Sequence, residues 1–467
     1  EVVGVLMNMN DVSNEIGARR RGIFALAIAF VAAIGGFLFG FDLGLIGAAN
    51  PFLRDQFHLS PSQLGFATGS AALGCVFGPF LGAWSCDAVG RKRTMIFASL
   101  LLAASAIVTA IARDITTFNI FRIVGGVGVG LCSVASPMYI AEVAPPRKRG
   151  SLGLMYQLAI VTGHITAPLV GFLLVSFLDD SISWRWMFAS EMIFVVIFVV
   201  FVFYLPRSPR WLAEQGHFDE ALGVLVKVDG ADYGTKEMEE IKSSLEQESG
   251  GFSELFGPGF RYALLIGILL AFFNNWTGWS VMGGYIPILF EKSGLEDRAV
   301  AILRFAVTYG FMGLMTLVAL WLVDRVGRRP LWIFASILMA IVTAITGAVF
   351  HYELSGGIVL LVIILCTVPH GLALGPLPWL MMSEIFPTRI RAKAVAITTT
   401  FLWITIYSGA QLFPLLTDYS EKICGSIGGA FWLFSVICLL STAFGLTMMP
   451  ETKGRTLEEI AEDWKRT

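Results

Sequence analysis

Two charged residues of opposite sign interrupt apolar stretches in the first third of the chain. Asp42 closes the run GGFLFGFD, and Arg122 lies within FRIVGGVG. An unpaired charge at the centre of a bilayer costs roughly 2.5 to 3.5 kcal/mol on insertion scales, so each must be paired or neutralised. A carboxylate that pairs reversibly with a guanidinium can bind and release a proton. We therefore expect Asp42 and Arg122 to form a proton-coupling pair; the alternative is a static ion pair that only fastens two helices together.

Polar side chains in other apolar stretches are candidates for binding a solute. Gln157 and His164 are seven residues apart, which places them two turns apart on one face of a helix. Both can hydrogen-bond a hydroxylated solute, and His370 lies in a later apolar stretch. Together with Arg304, the two histidines could instead suit a carboxylate. The alternative is that His164 and His370 are hydrogen-bonded packing residues and that Arg304 extends to the lipid headgroups.

Two short motifs occur twice, about 240 residues apart, and each follows an apolar stretch. The pattern Asp-x-x-Gly-Arg-basic occupies 87–92 and 324–329, and a glutamate followed by a proline and a basic cluster occupies 142–150 and 384–392. The chain is therefore expected to contain two copies of one membrane unit, which is the construction of a secondary transporter.

The charged residues of these motifs can form bidentate pairs between neighbouring helix ends. We predict that they act as latches, made when the cytoplasmic side is closed and broken when it opens. The alternative is that they only set the topology, since basic residues concentrate in cytoplasmic loops. The predicted latch residues are Asp87, Arg91, Glu142, Arg149, Asp324, Arg328, Glu384 and Arg389.

The composition is typical of a membrane protein. Hydrophobic residues make up 56% of the chain, charged residues only 15%, and mean hydropathy is +0.73. Apolar runs long enough to cross a lipid bilayer predict twelve helices, three of which contain one ionisable residue, namely Asp42, Arg122 or Glu191. The six cysteines have no ligand-like spacing, so neither a metal site nor a disulfide is expected. The absence of a recognisable nucleophile or cofactor loop predicts no enzymatic activity and no cofactor, and a net charge of −2 argues against a nucleic-acid partner.

Lysine and arginine are concentrated in alternate short loops, which predicts a multi-pass plasma-membrane protein with both termini in the cytoplasm. Charged and apolar residues alternate at helical spacing between the two copies, so short amphipathic helices are expected there. The predicted parts are a cytoplasmic tail (1–22), a six-helix bundle (23–205), a cytoplasmic linker (206–258), a second six-helix bundle (259–449) and a cytoplasmic tail (450–467).

Nine motifs, in order along nearly the whole chain, resemble those of the sugar porter family of the major facilitator superfamily. That family includes bacterial xylose/proton symporters and animal glucose carriers. Besides 87–92, 142–150 and 324–329, the motifs are GGFLFGFD at 35–42, Arg122, Gln157 in YQLAIVTG, PRSPRWL at 206–212, GPLPW at 375–379 and PETKGRT at 450–456. The resemblance implies an all-α membrane fold of two pseudo-symmetric six-helix bundles, with the substrate between them and alternating access by rocking. It also implies that Asp42 titrates and that Arg122 modulates it.

The resemblance assigns further substrate contacts. Asn274 and Asn275 stand where the family has paired glutamines, and Ser280 where it has asparagine. Glycines and prolines within 371–378 predict a broken helix, and Trp379 follows the break at the position of the family's sugar-stacking tryptophan. The predicted substrate-binding residues are therefore Gln157, His164, Asn274, Asn275, Ser280, His370 and Trp379.

Four positions depart from the family pattern. Met312 and Leu402 replace residues that usually offer amides, His370 replaces an aromatic residue, and Arg207 replaces a glutamate. Fewer amides mean fewer hydroxyl groups recognised. The leading interpretation is a proton-coupled symporter of a monosaccharide or polyol that acts as a monomer. The alternatives are a carrier of a small organic acid such as a cyclic polyhydroxy-carboxylate, a passive sugar uniporter, and a sensor that transports nothing.

Overall fold

The structure is a computed structural model that describes residues 2–145, 149–245, 252–257, 260–386 and 388–455. Side chains are described from residue 23 onward, except at a few positions that include Arg149 and Arg389. The regular structure of these residues is helical, without a strand. Helices satisfy their own backbone hydrogen bonds, which a segment inside a bilayer requires. The predicted all-α fold class is therefore confirmed.

The N-terminal half contains six spans. They are α1 (Val2–Gln56), α2 with α3 (Pro61–Cys75 and Gly78–Val89), α4 (Arg91–Ile111), α5 (Ile115–Val143), α6 (Arg149–Phe177) and α7 (Asp180–Tyr204). Asp114 caps the start of α5, because its carboxylate accepts hydrogen bonds from the backbone N–H and the hydroxyl of Thr117, both at 2.8 Å. These hydrogen bonds lower the pKa of the Asp114 carboxyl.

Three short helices follow the sixth span, where the sequence predicts amphipathic helices. They are α8 (Pro209–Glu214), α9 (Phe218–Asp229) and α10 (Ala231–Leu245). Trp211 of α8 packs against Gly90, and its indole N–H donates to the carbonyl oxygen of Asp87 at 3.0 Å. The linker helices therefore dock on the N-terminal half. We call this end of the molecule the linker side and the other end the opposite side.

The C-terminal half also contains six spans, and two of them are broken. They are α11 (Phe260–Trp276) continued by α12 (Trp279–Gly283) and α13 (Ile286–Lys292), then α14 (Arg298–Val326), α15 (Arg328–His351), α16 with α17 (Gly357–Pro369 and Pro376–Glu384), α18 (Thr388–Cys424) and α19 (Gly428–Thr447). Gly278, with a φ of +115°, separates α11 from α12. A π-helical turn, His370–Leu374, separates α16 from α17 as the glycines and prolines predict. Eleven spans among the described residues are long and apolar, and the shorter α11 begins the twelfth, so the predicted number is confirmed.

Glycines let α1 approach α6 closely. A Cβ added at Gly40 would lie 1.9 Å from the carbonyl oxygen of Ile160, and one added at Gly163 would lie 2.2 Å from the carbonyl oxygen of Phe37. Any side chain there would force the helices apart, which is the usual reason for small residues between membrane helices. The two halves meet where α6 packs on α14 and where α2 packs on α18.

Candidate functional site

The predicted pair of charged residues is present inside the N-terminal half. Arg122 of α5 donates a hydrogen bond from Nη1 to Oδ1 of Asp42 on α1. Both residues are at most 1% exposed. The Arg122 guanidinium also lies 5.4 Å from the ring centre of Phe188 on α7. The contact predicted from the two sequence positions is confirmed, whereas its role in proton coupling stays a prediction.

Glu191 of α7 completes a buried cluster with this pair. The residue is 1% exposed, both of its carboxyl oxygens are without a hydrogen-bond partner, and it interacts electrostatically with Asp42 and Arg122. Oδ2 of Asp42 and two guanidinium nitrogens of Arg122 are also unpartnered. The sequence shows Glu191 as an ionisable residue within a span, but its distance along the chain gives no indication that it joins Asp42. With both carboxyls ionised, the cluster has one more negative than positive charge, so the binding of one proton makes it neutral.

A cavity of about 400 Å³ lies between the two halves. Its lining comes from both halves, and it extends towards the linker side along α5, α6 and α17. All seven predicted substrate-binding residues, Gln157, His164, Asn274, Asn275, Ser280, His370 and Trp379, line it. The structure therefore brings together residues separated by more than 200 positions in the sequence. Their contact with a substrate stays a prediction.

Helix α1 connects the cavity with the buried cluster. Asp42 points to Arg122, whereas Phe39, Leu43 and Ile46 of the same helix line the cavity. Phe39 and Ile46 are three and four positions from Asp42, a spacing that shares a face of a helix, so the cavity residues adjoin Asp42 on one rigid element. A change at Asp42 can therefore move the cavity wall, and a change at the cavity wall can move Asp42.

The two asparagines of α11 hold the broken helices in place. The side-chain amide of Asn274 donates to the carbonyl oxygens of Leu374 at 2.7 Å and Gly375 at 3.0 Å. Asn275 donates to the hydroxyl of Thr405 at 2.9 Å. The amide of Asn274 therefore supplies a hydrogen-bond donor to carbonyl groups at the π-helical turn. A broken membrane span requires such partners for its backbone. The side-chain oxygens of the asparagines are the groups left for a solute.

His370 and Trp379 flank the break in the tenth span and differ in exposure. His370 is 7% exposed, and its Nδ1 atom is buried without a hydrogen-bond partner. Trp379 is 39% exposed, which leaves much of its indole available to a solute. Met312 and Leu402, where the family usually has amides, line the same cavity, so the smaller number of amides is a property of this cavity.

Arg304 does not lie in the cavity lining. Its guanidinium is 5.6 Å from the ring centre of Phe290, in a cation–π contact. The described residues that line the cavity include no aspartate, glutamate, lysine or arginine, and the binding of a carboxylate substrate by Arg304 stays an alternative.

The repeated motifs form equivalent ion-pair networks on the linker side, each within one half. In the N-terminal half, Arg91 donates to Glu142 at 2.7 Å and lies 3.6 Å from Asp87. In the C-terminal half, Arg328 donates to Glu384 at 3.0 Å and lies 3.1 Å from Asp324. The latch pairs thus join neighbouring helices, and their dependence on conformation stays a prediction. The side chains of Arg149 and Arg389 lie outside the described residues.

Backbone geometry explains the glycine of each repeated motif. Gly90 has a φ of +91° and Gly327 a φ of +100°. Other residues rarely adopt these values, so glycine is needed where one helix ends and the next begins. This requirement is independent of the charges and explains why both copies have a glycine one position before the arginine.

Partners from the ends of the two halves complete these networks. Ser208 donates to Glu142 at 2.5 Å, and Glu214 lies 3.5 Å from Arg91. Thr452 donates to Glu384 at 2.5 Å, and Glu451 accepts from the backbone N–H of Arg328 at 3.0 Å. Ser208 belongs to the motif PRSPRWL, and Glu451 and Thr452 belong to PETKGRT. The spacing of these motifs did not reveal which residues pair. The exposed Arg207 lies 3.8 Å from Glu220 and takes no part in the network.

The halves contact each other directly on the opposite side. The Asn50 amide of α1 donates to the carbonyl oxygen of Gly284 at 2.7 Å. The guanidinium of Arg54 reaches Glu291 at 2.9 Å, and the Gln411 amide donates to the carbonyl oxygen of Ser62 at 3.0 Å. The cavity is therefore closed on the opposite side in this structure.

Two pseudo-symmetric six-helix bundles with a cavity between them define a multi-pass membrane transporter of the major facilitator fold. The family model described as Sugar (and other) transporter matches residues 28–464, and the chain belongs to this family. The family consists of transporters, which agrees with the prediction of no enzymatic activity. The resemblance to sugar porters is thereby confirmed.

Two curated relatives match over nearly their full lengths. The arabinose-proton symporter of Bacillus subtilis (strain 168) is 39% identical over 450 residues, with 94% of this chain and 95% of the relative covered. The D-xylose-proton symporter of Escherichia coli (strain K12) is 33% identical over 476 residues, with 95% of this chain and 96% of the relative covered. These relatives extend the similarity through both halves.

Solved structures of the xylose transporter XylE from E. coli share the fold. The inward-open form superposes with a TM-score of 0.83 at 31% identity, covering 94% of this chain and 100% of that chain. The form bound to 6-bromo-6-deoxy-D-glucose gives a TM-score of 0.78 at 32% identity, covering 94% and 99%.

Proposed function

We propose that the chain is a proton-coupled symporter that moves a neutral monosaccharide or polyol by alternating access. The observation that carries the proposal is the position of Asp42, which pairs with Arg122 while its neighbours on the same helix line the cavity. Proton binding and solute binding thus act on one element. The names of the arabinose-, xylose- and galactose-proton symporters among the relatives support the same function.

The charges of the buried cluster support a mechanism of coupling. With Asp42 ionised, Arg122 is paired with it; with Asp42 protonated, Arg122 is free to pair with Glu191. A buried guanidinium left without any partner would be strongly unfavourable, so the second carboxyl makes protonation of Asp42 feasible. Protonation of Asp42 from outside would break its pairing with Arg122 and so release α1 from α5. The two halves could then close around the substrate. Release of the proton inside would restore the pair.

The cavity supports a neutral, hydroxylated substrate of small size. Its volume of about 400 Å³ is in the range of small-molecule sites. Its polar side chains are amides, hydroxyls, imidazoles and indoles, with no charged residue among the described lining. These groups suit hydroxyls, whereas an organic acid would lack a cationic partner. Passive uniport would use the same cavity, and only the buried cluster argues against it.

The wider organisation follows from the same proposal. The linker side is the cytoplasmic side and the opposite side is extracellular, with both termini in the cytoplasm and the protein in the plasma membrane as a functional monomer in lipid. The moving bodies are the bundles 23–205 and 259–449, joined by the linker 206–258. The networks of Arg91 and Arg328 join the cytoplasmic helix ends within each bundle.

Uptake into proteoliposomes tests the proposal. The purified protein would be given an inward proton gradient and a panel of radiolabelled pentoses, hexoses, polyols and cyclic acids, with and without a protonophore. We expect one or more neutral sugars to accumulate above the external concentration and the protonophore to abolish accumulation. Accumulation of acids alone, or sugar equilibration that ignores the gradient, would contradict the proposal.

A further inference from the structure

An aromatic pair crosses the boundary between the two halves at the wall of the cavity. The ring of His164, on α6, stacks on the ring of Tyr309, on α14, with centroids 5.1 Å apart and planes 27° apart. The helices approach closely here, because a Cβ added at Gly313 would lie 2.8 Å from Val161. Both rings line the cavity. Each half thus contributes one ring to the same patch of the wall.

The hydrogen bonds of His164 determine what this ring offers to a solute. Its Nδ1 atom is 3.0 Å from the carbonyl oxygen of Ile160. A carbonyl oxygen only accepts, so Nδ1 must carry the proton, and Nε2 of the neutral ring is then an acceptor. Nε2 has no hydrogen-bond partner among the described residues and is not fully buried. His164 therefore presents one acceptor to the solute.

Tyr309 presents the complementary group. Its hydroxyl forms no hydrogen bond with any described residue. The residue is only 7% exposed, but the hydroxyl itself is not fully buried. The ring is held from two other directions, by Trp279 at 6.0 Å and Phe305 at 4.9 Å between centroids. A phenolic hydroxyl both donates and accepts, and a rigidly held ring loses little conformational entropy on binding.

We propose that Tyr309 is a substrate-binding residue that shares one substrate hydroxyl with His164, and that this shared contact ties substrate binding to closure of the opposite side. This inference rests on the proposed function and adds a residue from α14 to the site. A sugar hydroxyl can donate to Nε2 of His164 while it accepts from Tyr309. A carboxylate only accepts hydrogen bonds, so its oxygens would be repelled by the lone pair of Nε2. The pair therefore selects a neutral hydroxylated substrate over an acid.

The contact between halves follows from the position of the two rings. His164 moves with the N-terminal half and Tyr309 with the C-terminal half, so a hydroxyl bound to both bridges the two bodies. Such a bridge exists only while α6 and α14 are in contact. An occupied cavity therefore stabilises the arrangement in which the opposite side is closed.

The test combines Tyr309→Phe with deoxygenated substrates. This substitution keeps the ring and its stacking but removes the hydroxyl, and Tyr407→Phe makes the same chemical change at a residue that does not line the cavity. Binding would be measured by isothermal titration calorimetry with the transported sugar and with each of its monodeoxy analogues. We expect Tyr309→Phe to weaken binding of the parent sugar about 3- to 10-fold, and to have no further effect on the one analogue that lacks the shared hydroxyl. His164→Phe should behave in the same way with the same analogue.

Three results would overturn the inference. They are unchanged affinity of Tyr309→Phe for the parent sugar, an equal loss for every analogue, or an equal loss in Tyr407→Phe. These results would leave proton-driven accumulation by the unaltered protein intact. Failure of the proposed function would instead appear in the unaltered protein itself, as the absence of proton-driven sugar accumulation.

Discussion

Arg298, at the start of α14 in the C-terminal half, forms an ion pair with Asp55, near the end of α1 in the N-terminal half. The same guanidinium lies 3.1 Å from Asp180 of α7 and 3.2 Å from Glu291. One arginine thus joins both halves on the opposite side, next to the pair formed by Arg54 and Glu291. Alternating access requires these contacts to break whenever the cavity opens to that side.

Removal of this arginine is expected to favour the outward-open state. Arg298→Gln loses two charge contacts between the halves, and exposed ion pairs contribute about 0.2 to 1 kcal/mol each, so the population should shift about 2- to 30-fold. The measurement is the rate at which an impermeant thiol reagent, added outside, modifies a cysteine introduced at Ile46 in the cavity lining. Lys422→Gln is the matched control, because Lys422 pairs with Asp418 within α18 alone. Equal rates in both variants would show that the contacts of Arg298 do not hold the halves together.

Disruption of the network around Glu142 is expected to lower stability. Its carboxylate accepts from Arg91 and Ser208, and the side chains of Arg91 and Glu142 are only 4% and 9% exposed. Glu142→Gln should therefore reduce the free energy of unfolding by about 1 to 3 kcal/mol, measured by thermal unfolding in detergent. Glu220→Gln, which removes the exposed contact with Arg207, should change it by less than about 0.5 kcal/mol. A smaller effect in Glu142→Gln than in Glu220→Gln would contradict a structural role for this network.

Glu191 is expected to influence the pH dependence of transport. Glu191→Gln removes the carboxylate to which Arg122 can turn when Asp42 is protonated. Protonation of Asp42 then leaves the guanidinium without an anionic partner, so transport should require a more acidic outside solution. The measurement is the initial rate of sugar uptake against external pH. A profile that coincides with that of the unaltered protein would exclude Glu191 from the coupling mechanism.

Two substitutions distinguish a sugar substrate from an acid. Gln157→Ala removes an amide from the cavity lining and should raise the dissociation constant of the sugar about 10-fold, because a substrate hydroxyl loses its partner. Arg304→Ala changes a side chain outside the lining and should change it less than about 2-fold. Both constants can be measured by calorimetry. A larger loss in Arg304→Ala would favour the organic-acid alternative.

The sequence predicted well those features that depend on local chemistry. Asp42 and Arg122 were paired correctly because charges inside apolar spans need partners, and the break before Trp379 followed from glycine and proline. Gln157, His164 and His370 were identified as polar residues in apolar stretches, and the other four cavity residues through the family resemblance. Contacts that arise only when helices assemble were not predicted. Glu191 gave no indication of its partners, and the contacts of Arg298 and the stacking of Tyr309 depend on how one half rests against the other.

The function of single side chains was also harder to predict than their location. Asn274 was expected to bind substrate, yet its amide donates to the backbone of the broken tenth span. Sequence places an asparagine in the cavity but does not show which of its atoms are already used. The same limit applies to His164, whose role depends on the hydrogen bond that its Nδ1 atom makes.

The most direct test of proton coupling compares two transport modes of Asp42→Asn in proteoliposomes. The first is sugar accumulation driven by an inward proton gradient, and the second is exchange of labelled for unlabelled sugar at equal concentrations without a gradient. We predict that the variant loses accumulation while exchange stays within about 3-fold of the unaltered protein, because the neutral side chain keeps the cavity but cannot release a proton. Continued accumulation by Asp42→Asn would contradict the account, since it would show that protons are coupled elsewhere.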